Sequence, residues 1–167
     1  MLELISKKGL DELKAKGKSE PNVVKTAKCK TIVKKRYIHE NLIRNLKPHI
    51  IDEPPGLLGD DTAPNPTEAL LAALGSCICV GIQANCVDKN IAIKSLDMEL
   101  EGDINISAVW GVGDLNPKKE LGVTDIRMKI NLDADISESE KKAIIDNAIK
   151  WSPVANTLLR NVRLKEV

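Results

Sequence analysis

The stretch that most constrains this chain is PTEALLAALGSCICVGIQANCVDK, residues 66 to 89. It is apolar nearly all round, so a helix formed there has no solvent face and has to be covered. Asn65 is a suitable N-cap, Pro66 fits the first helical position, and Glu68 stands three residues after the cap. Gly, Ser, Gln, Asn and Cys interrupt the run, which reads as a buried core helix rather than a membrane span. A fold for this chain is a way of wrapping that helix.

The rest of the chain can supply the wrapping. Of its 167 residues, 43% are hydrophobic, but only 2% are aromatic and none is Phe. The core is therefore aliphatic, and disorder is excluded. Lys and Arg number 25 against 24 Asp and Glu. Such a balance gives no electrostatic ground for a nucleic-acid or anionic-membrane partner. The opening MLELISKKGLDELK has no apolar core of the kind a signal peptide needs. The expectation is a cytoplasmic protein whose four cysteines stay reduced.

Residues 5 to 16 form a predicted short amphipathic helix ending at Gly17. Residues 23 to 52, rich in Val, Ile and Thr, predict two or three antiparallel strands. DEPPGLLGDDTAPNP, with its Pro and Gly, predicts a long loop of the kind that often carries function. After the apolar helix, IAIKSLDMELEGDI alternates at Leu96, Met98 and Leu100. VTDIRMKINLDADI alternates at Ile126, Met128, Ile130 and Leu132. Ser137 and Glu140 predict a capping box for a helix over 138–150, with Ile144, Ala148 and Trp151 as its apolar stripe. Ser152 and Pro153 predict the N-cap and first turn of a second short helix, and VRLKEV a closing strand. The class is α+β. Residues 1–20 are expected to be a helical extension, and 21–167 one domain.

At 100° per residue, Cys79 and Cys86 share one face of the long helix, and Cys77 lies about 160° from Cys79. Cys77 and Cys79 point apart, while Cys79 and Cys86 stand roughly 10 Å apart along the axis, so no pair forms a disulfide within the helix. Diverging thiols also make a poor metal site, and no metal or other cofactor is expected. Small buried hydrophobes are a sufficient reading of Cys79 and Cys86. His39 and His49 have no ligand spacing and read as ordinary surface or turn residues. Neither a Gly-rich phosphate loop nor a Ser-His-Asp spacing occurs.

PNPTEALLAALGSCICVGI resembles the central-helix signature of the OsmC/Ohr family, the osmotically induced and organic-hydroperoxide-resistance proteins. IIDEPPGLLGDDTAPNPTE is similar to the family's loop before that helix, and MELEGDI to the strand after it. DIRMKINLDADISESEKKAIIDNAIKWSPVANTLLRNVRLKEV resembles the family's strand, helix and tail. The likeness covers roughly residues 20 to 167. It implies an intertwined homodimer, with two long helices buried between antiparallel sheets and sites at the dimer interface. It places the peroxidatic cysteine at Cys77, whose thiolate attacks an organic hydroperoxide and becomes a sulfenic acid. An Arg that keeps the thiolate charged is implied as well, with a Glu that orients the Arg. By position Arg36, in KKRYIHE, is the better placed and Arg44 the fallback.

Two departures from the family pattern stand out. Ser152 occupies the position of the resolving cysteine, and Thr67 that of the orienting Glu, with Glu68 one residue on. The resemblance then implies a single-cysteine peroxidase acting on a small hydrophobic hydroperoxide, regenerated by an external thiol. The alternative is a non-catalytic protein that binds a small molecule in the same interface pocket. Whether Cys29 approaches Cys77 is open at this level.

Overall fold

The structure, a computed structural model, describes residues 1–166. Its elements run α1 (Lys7–Ser19), β1 (Lys30–Lys35), β2 (Ile38–Leu42), β3 (His49–Ile51), α2 (Pro66–Asp88), β4 (Ile93–Ile104), β5 (Val123–Ala134), α3 (Glu138–Trp151) and α4 (Pro153–Leu158). The α+β class expected from the sequence is the one found, with antiparallel sheets and one long helix. The chain divides into two compact units: Met1–Ala15 with Ala73–Val167, and Lys16–Ala72.

In the larger unit β4 and β5 pair antiparallel along their whole length, with Leu96 opposite Leu132 and Met98 opposite Ile130. The period-two pattern puts these side chains on one face. Against it lie Leu74, Ile78, Ile82 and Cys86, spaced by four along α2 and all buried. Ile93, Ile144, Ala148 and Ala155 complete the core. Each fully buried Ile in this cluster contributes about 1.5–3 kcal/mol relative to an exposed one. Helices α2 and α3 cross closely: a Cβ on Gly81 would lie 3.0 Å from the Ala148 Cβ and 3.2 Å from its Cα. Beside the crossing, Asn85 Nδ2 donates to the Gly81 carbonyl at 2.8 Å, and Asn147 Nδ2 donates to Asn85 Oδ1 at 2.7 Å. The start of the chain joins this unit. Leu2 donates its N–H to the Ile93 carbonyl at 2.9 Å, and Lys7 and Lys14 both reach Asp88 Oδ1 at the end of α2.

The smaller unit is a meander in the order β1-β2-β3, antiparallel throughout. Its β1–β2 turn carries Arg36 at φ 45, a left-handed conformation. After β3 the chain enters the Pro-rich loop, which has one short 3-10 turn at Pro55–Leu57. Here Asp52 is fully buried, accepting from the Glu53 N–H at 2.8 Å and from the Thr62 N–H and hydroxyl at 3.0 and 2.8 Å. Gly59 packs its backbone on Glu53 so closely that a Cβ would sit 1.7 Å from the Glu53 carbonyl oxygen.

Two local expectations fail. Trp151 does not continue the α3 stripe: Ile144 and Ala148 are buried, but Trp151 is 71% exposed, at the point where the helix gives way to extended Ser152. Lys150 Nζ sits over its ring, 5.9 Å from the centroid. Nor do residues 162–166 form the closing strand, since no strand of either sheet pairs with them. Val167, the last residue of that expectation, lies outside the described residues.

Candidate functional site

The caps that hold the thiol helix are those the sequence encodes. Glu68 N–H donates to Asn65 Oδ1 and Asn65 N–H donates to Glu68 Oε2, both at 2.8 Å. Two of the helix's orphan donors are thereby satisfied. Glu68 is thus engaged as a capping residue in the first turn of α2.

Cys77 lies in the middle of α2 and is half-buried. Ser152 meets it: its hydroxyl donates to Cys77 Sγ at 3.1 Å. Ser152 is only 2% exposed. It stands between α3 and α4, where its Oγ accepts from the Ala155 N–H at 3.1 Å and so caps α4. Ser152 therefore both caps α4 and touches the thiol. Val80, one turn on from Cys77, is 64% exposed. Trp151, Leu158 and Leu159 of the same unit are exposed as well.

The other thiols stand in different surroundings. Burial pushes the Cys79 thiol above its ordinary value, and Asp97 adds to the shift. Burial does the same to Cys86, a core residue, against a small opposing pull from Lys89. Cys29 is exposed, just before β1, and all four thiols are free. Among the described residues no group of His, Cys, Asp and Glu is arranged to hold a metal ion.

Arg36 belongs to the smaller unit, where its guanidinium pairs with Asp60. Lys35 shares that carboxylate at 3.2 Å. Arg44 occupies the turn after β2, again with positive φ. Thr67 sits half-buried in the first turn of α2. His39 lies half-buried on β2 and His49 exposed on β3. A groove of about 540 Å³ opens between β5 and α3, lined by Ile130, Leu132, Lys141, Ile145 and neighbours, and Cys77 is not in its wall.

Sequence reasoning missed one feature of the smaller unit, the adjacent buried acids Asp52 and Glu53. Thr62 and the Glu53 N–H hold the Asp52 carboxyl down at about 2. Burial pushes Glu53 up, helped by the charges of Asp52 and Glu68 and opposed by His39. Glu53 Oε2 has no hydrogen-bond partner in the described structure. The available signal was Gly59, a residue that lets backbone close over the acid pair.

Fold and site together define a class: α+β proteins that present a cysteine from a long central helix. This chain belongs to the OsmC family, whose model, described as OsmC-like protein, matches residues 59–167. Among solved structures it resembles an OsmC-like protein from Mycoplasma pneumoniae, with a TM-score of 0.68, 22% identity, and coverage of 82% of this chain and 89% of that one. An OsmC-like protein from Vibrio cholerae gives 0.65 at 14% identity, covering 80% and 94%. An organic hydroperoxide resistance protein from Legionella pneumophila gives 0.58 at 17% identity, covering 82% and 91%. These likenesses are of fold. No curated protein matches the chain.

Proposed function

We propose that this chain is a thiol-dependent reductase of organic hydroperoxides, a cytoplasmic homodimer that works through Cys77 alone and serves oxidative-stress defence. The observation that carries the reading is the contact of Cys77 Sγ with the Ser152 hydroxyl at 3.1 Å. It sets the half-buried thiol against the residue that stands where relatives of this type would hold a second thiol. The Cys77 thiolate attacks the distal oxygen of the hydroperoxide, the O–O bond breaks, and the leaving alkoxide takes a proton to become the alcohol. The sulfenic acid on Cys77 finds a hydroxyl beside it, and a hydroxyl does not condense to a disulfide. An external thiol therefore attacks the sulfenic sulfur and expels water. A second thiol then resolves the mixed disulfide, returning Cys77 and one external disulfide. The substrate we assign is a small hydrophobic hydroperoxide. Arg36 is the residue we assign to hold the thiolate's charge.

One observation favours a second reading, a protein of the same fold that binds a small molecule without turnover. The Arg36 guanidinium is already neutralised by Asp60, and Glu68 is committed to its cap. A single experiment separates the two. The protein is mixed with one equivalent of tert-butyl hydroperoxide, and alcohol release and trapping of a sulfenic acid by a 1,3-diketone are followed. Peroxidase function gives stoichiometric alcohol, label on Cys77, and turnover once a dithiol is added. Cys77→Ser then abolishes all three, and Ser152→Cys yields an internal crosslink to Cys77 on peptide mapping. Alcohol at the buffer rate, with Cys77 unlabelled, overturns the reading in favour of binding.

A further inference from the structure

The Ser152 hydroxyl has more to do than cap a helix. Its oxygen accepts the Ala155 N–H at 3.1 Å, which uses a lone pair and leaves the proton free. Its carbonyl is taken by the Asn156 N–H at 3.0 Å and by Asn156 Nδ2 at 2.8 Å. With the residue 2% exposed, water is no alternative, and the hydroxyl proton points to Cys77 Sγ at 3.1 Å. A neutral thiol is a weak acceptor and a thiolate a strong one, so a donor fixed in this position favours the charged form.

We infer that Ser152 is a positioning residue for the reactive sulfur: the α4 N-cap orients its hydroxyl so that the proton is donated to the Cys77 thiolate and stabilises it. This rests on the assignment of Cys77 as the reactive thiol, and it deepens that assignment. The same residue then does two things. It withholds the second thiol of an internal disulfide, and it supplies a hydrogen bond to the charge on the first. A serine at a helix N-cap does this with little freedom to turn away, because the Ala155 N–H fixes its oxygen.

The test uses the pH dependence of Cys77 alkylation by iodoacetamide in a Cys29→Ser background, which removes the exposed competitor. Ser152→Gly keeps a tolerated cap residue and deletes the donor. Ser152→Thr keeps both cap and hydroxyl. The expected result is a rate–pH profile displaced upward in Ser152→Gly, with labelling at neutral pH slower by about threefold to tenfold, since a tenfold change in thiolate corresponds to one pH unit of displacement. Ser152→Thr should restore the parent profile. A Ser152→Gly protein with parental circular dichroism and an unchanged profile would overturn the inference, as would equal displacement in Ser152→Thr. No hydroperoxide enters the measurement, so a shifted profile in a protein that consumes no hydroperoxide leaves this inference standing while the peroxidase reading falls.

Discussion

Cys77, Cys79 and Cys86 belong to one helix and differ in what surrounds them. Angular position put Cys79 and Cys86 on one face, yet Cys79 is half-buried like Cys77 and only Cys86 is buried, so it was the family resemblance and not the angle that set Cys77 apart. The resemblance implied that residue 152 faces Cys77, and the Ser152 hydroxyl does meet its sulfur. Asp52 and Glu53 were illegible: acids in a stretch rich in Pro and Gly read as solvent-facing, and only the approach of Gly59 to the Glu53 carbonyl encloses them. Their buried state has a pH signature. Asp52 is held down at about 2 from an ordinary 3.8, so its contribution to stability is complete above the ordinary value and is lost as pH falls toward 2. Glu53 is pushed up from 4.5, chiefly by burial, so the folded chain keeps that proton longer than the unfolded one. Its contribution is complete below the ordinary glutamate value and is lost as pH rises through the folded one. Glu53→Gln removes the second limb and leaves the first. Urea melts across pH should show the variant at least as stable as the parent at pH 7, with the decline above the ordinary glutamate range flattened. A variant that loses stability only above the ordinary glutamate range would mean that Glu53 has a partner when ionised, and an unchanged pH dependence would mean that the decline is not the titration of Glu53.

At the scale of elements the caps carried the reading. Asn65 with Glu68, Ser137 with Glu140, and Ser152 with Pro153 each start a helix where the sequence placed it, because a cap is a local hydrogen-bond arrangement with few alternatives. Residues 162–166 form no strand because a strand needs an edge to pair with, and a pattern of alternating side chains does not supply one. Glycines divide in the same way between local and tertiary causes. A Cβ on Gly17, inside α1, meets nothing within 4 Å, whereas one on Gly81 meets the Ala148 backbone at 3.2 Å. The same substitution should therefore have opposite signs. Gly17→Ala gains helix propensity, up to about 1 kcal/mol. Gly81→Ala gains the same propensity but forces apart the crossing of α2 and α3, for a net loss of about 1–3 kcal/mol. Chemical denaturation of the two single variants checks both. Equal gains would mean that the crossing yields at no cost.

At the scale of the whole molecule, α2 is long and apolar enough to span a membrane by composition, yet only about 33% of its apolar stretch is buried within the chain. The sequence demanded cover for this helix, and one copy of the chain supplies it incompletely. Val80 is 64% exposed, Trp151 71% and Leu159 80% in the same unit. Exposed apolar side chains of this size are what a partner surface could bury. The homodimer we propose covers them with the same face of a second copy, as a two-fold interface requires. Sedimentation at low micromolar concentration should then find a dimer, and the midpoint of thermal unfolding should rise with protein concentration, because dissociation accompanies unfolding. Val80→Asp puts a charge on that face. It should shift the protein toward monomer or lower its helicity, and Lys142→Ala, whose ion pair with Asp146 is exposed, should do neither. The concentration dependence is the decisive measurement, since it is made on the unaltered chain and stands even if Val80→Asp fails to fold. A parent protein that sediments as a fully helical monomer, with an unfolding midpoint independent of concentration, would remove the homodimer and leave α2 with only the partial cover its own chain supplies.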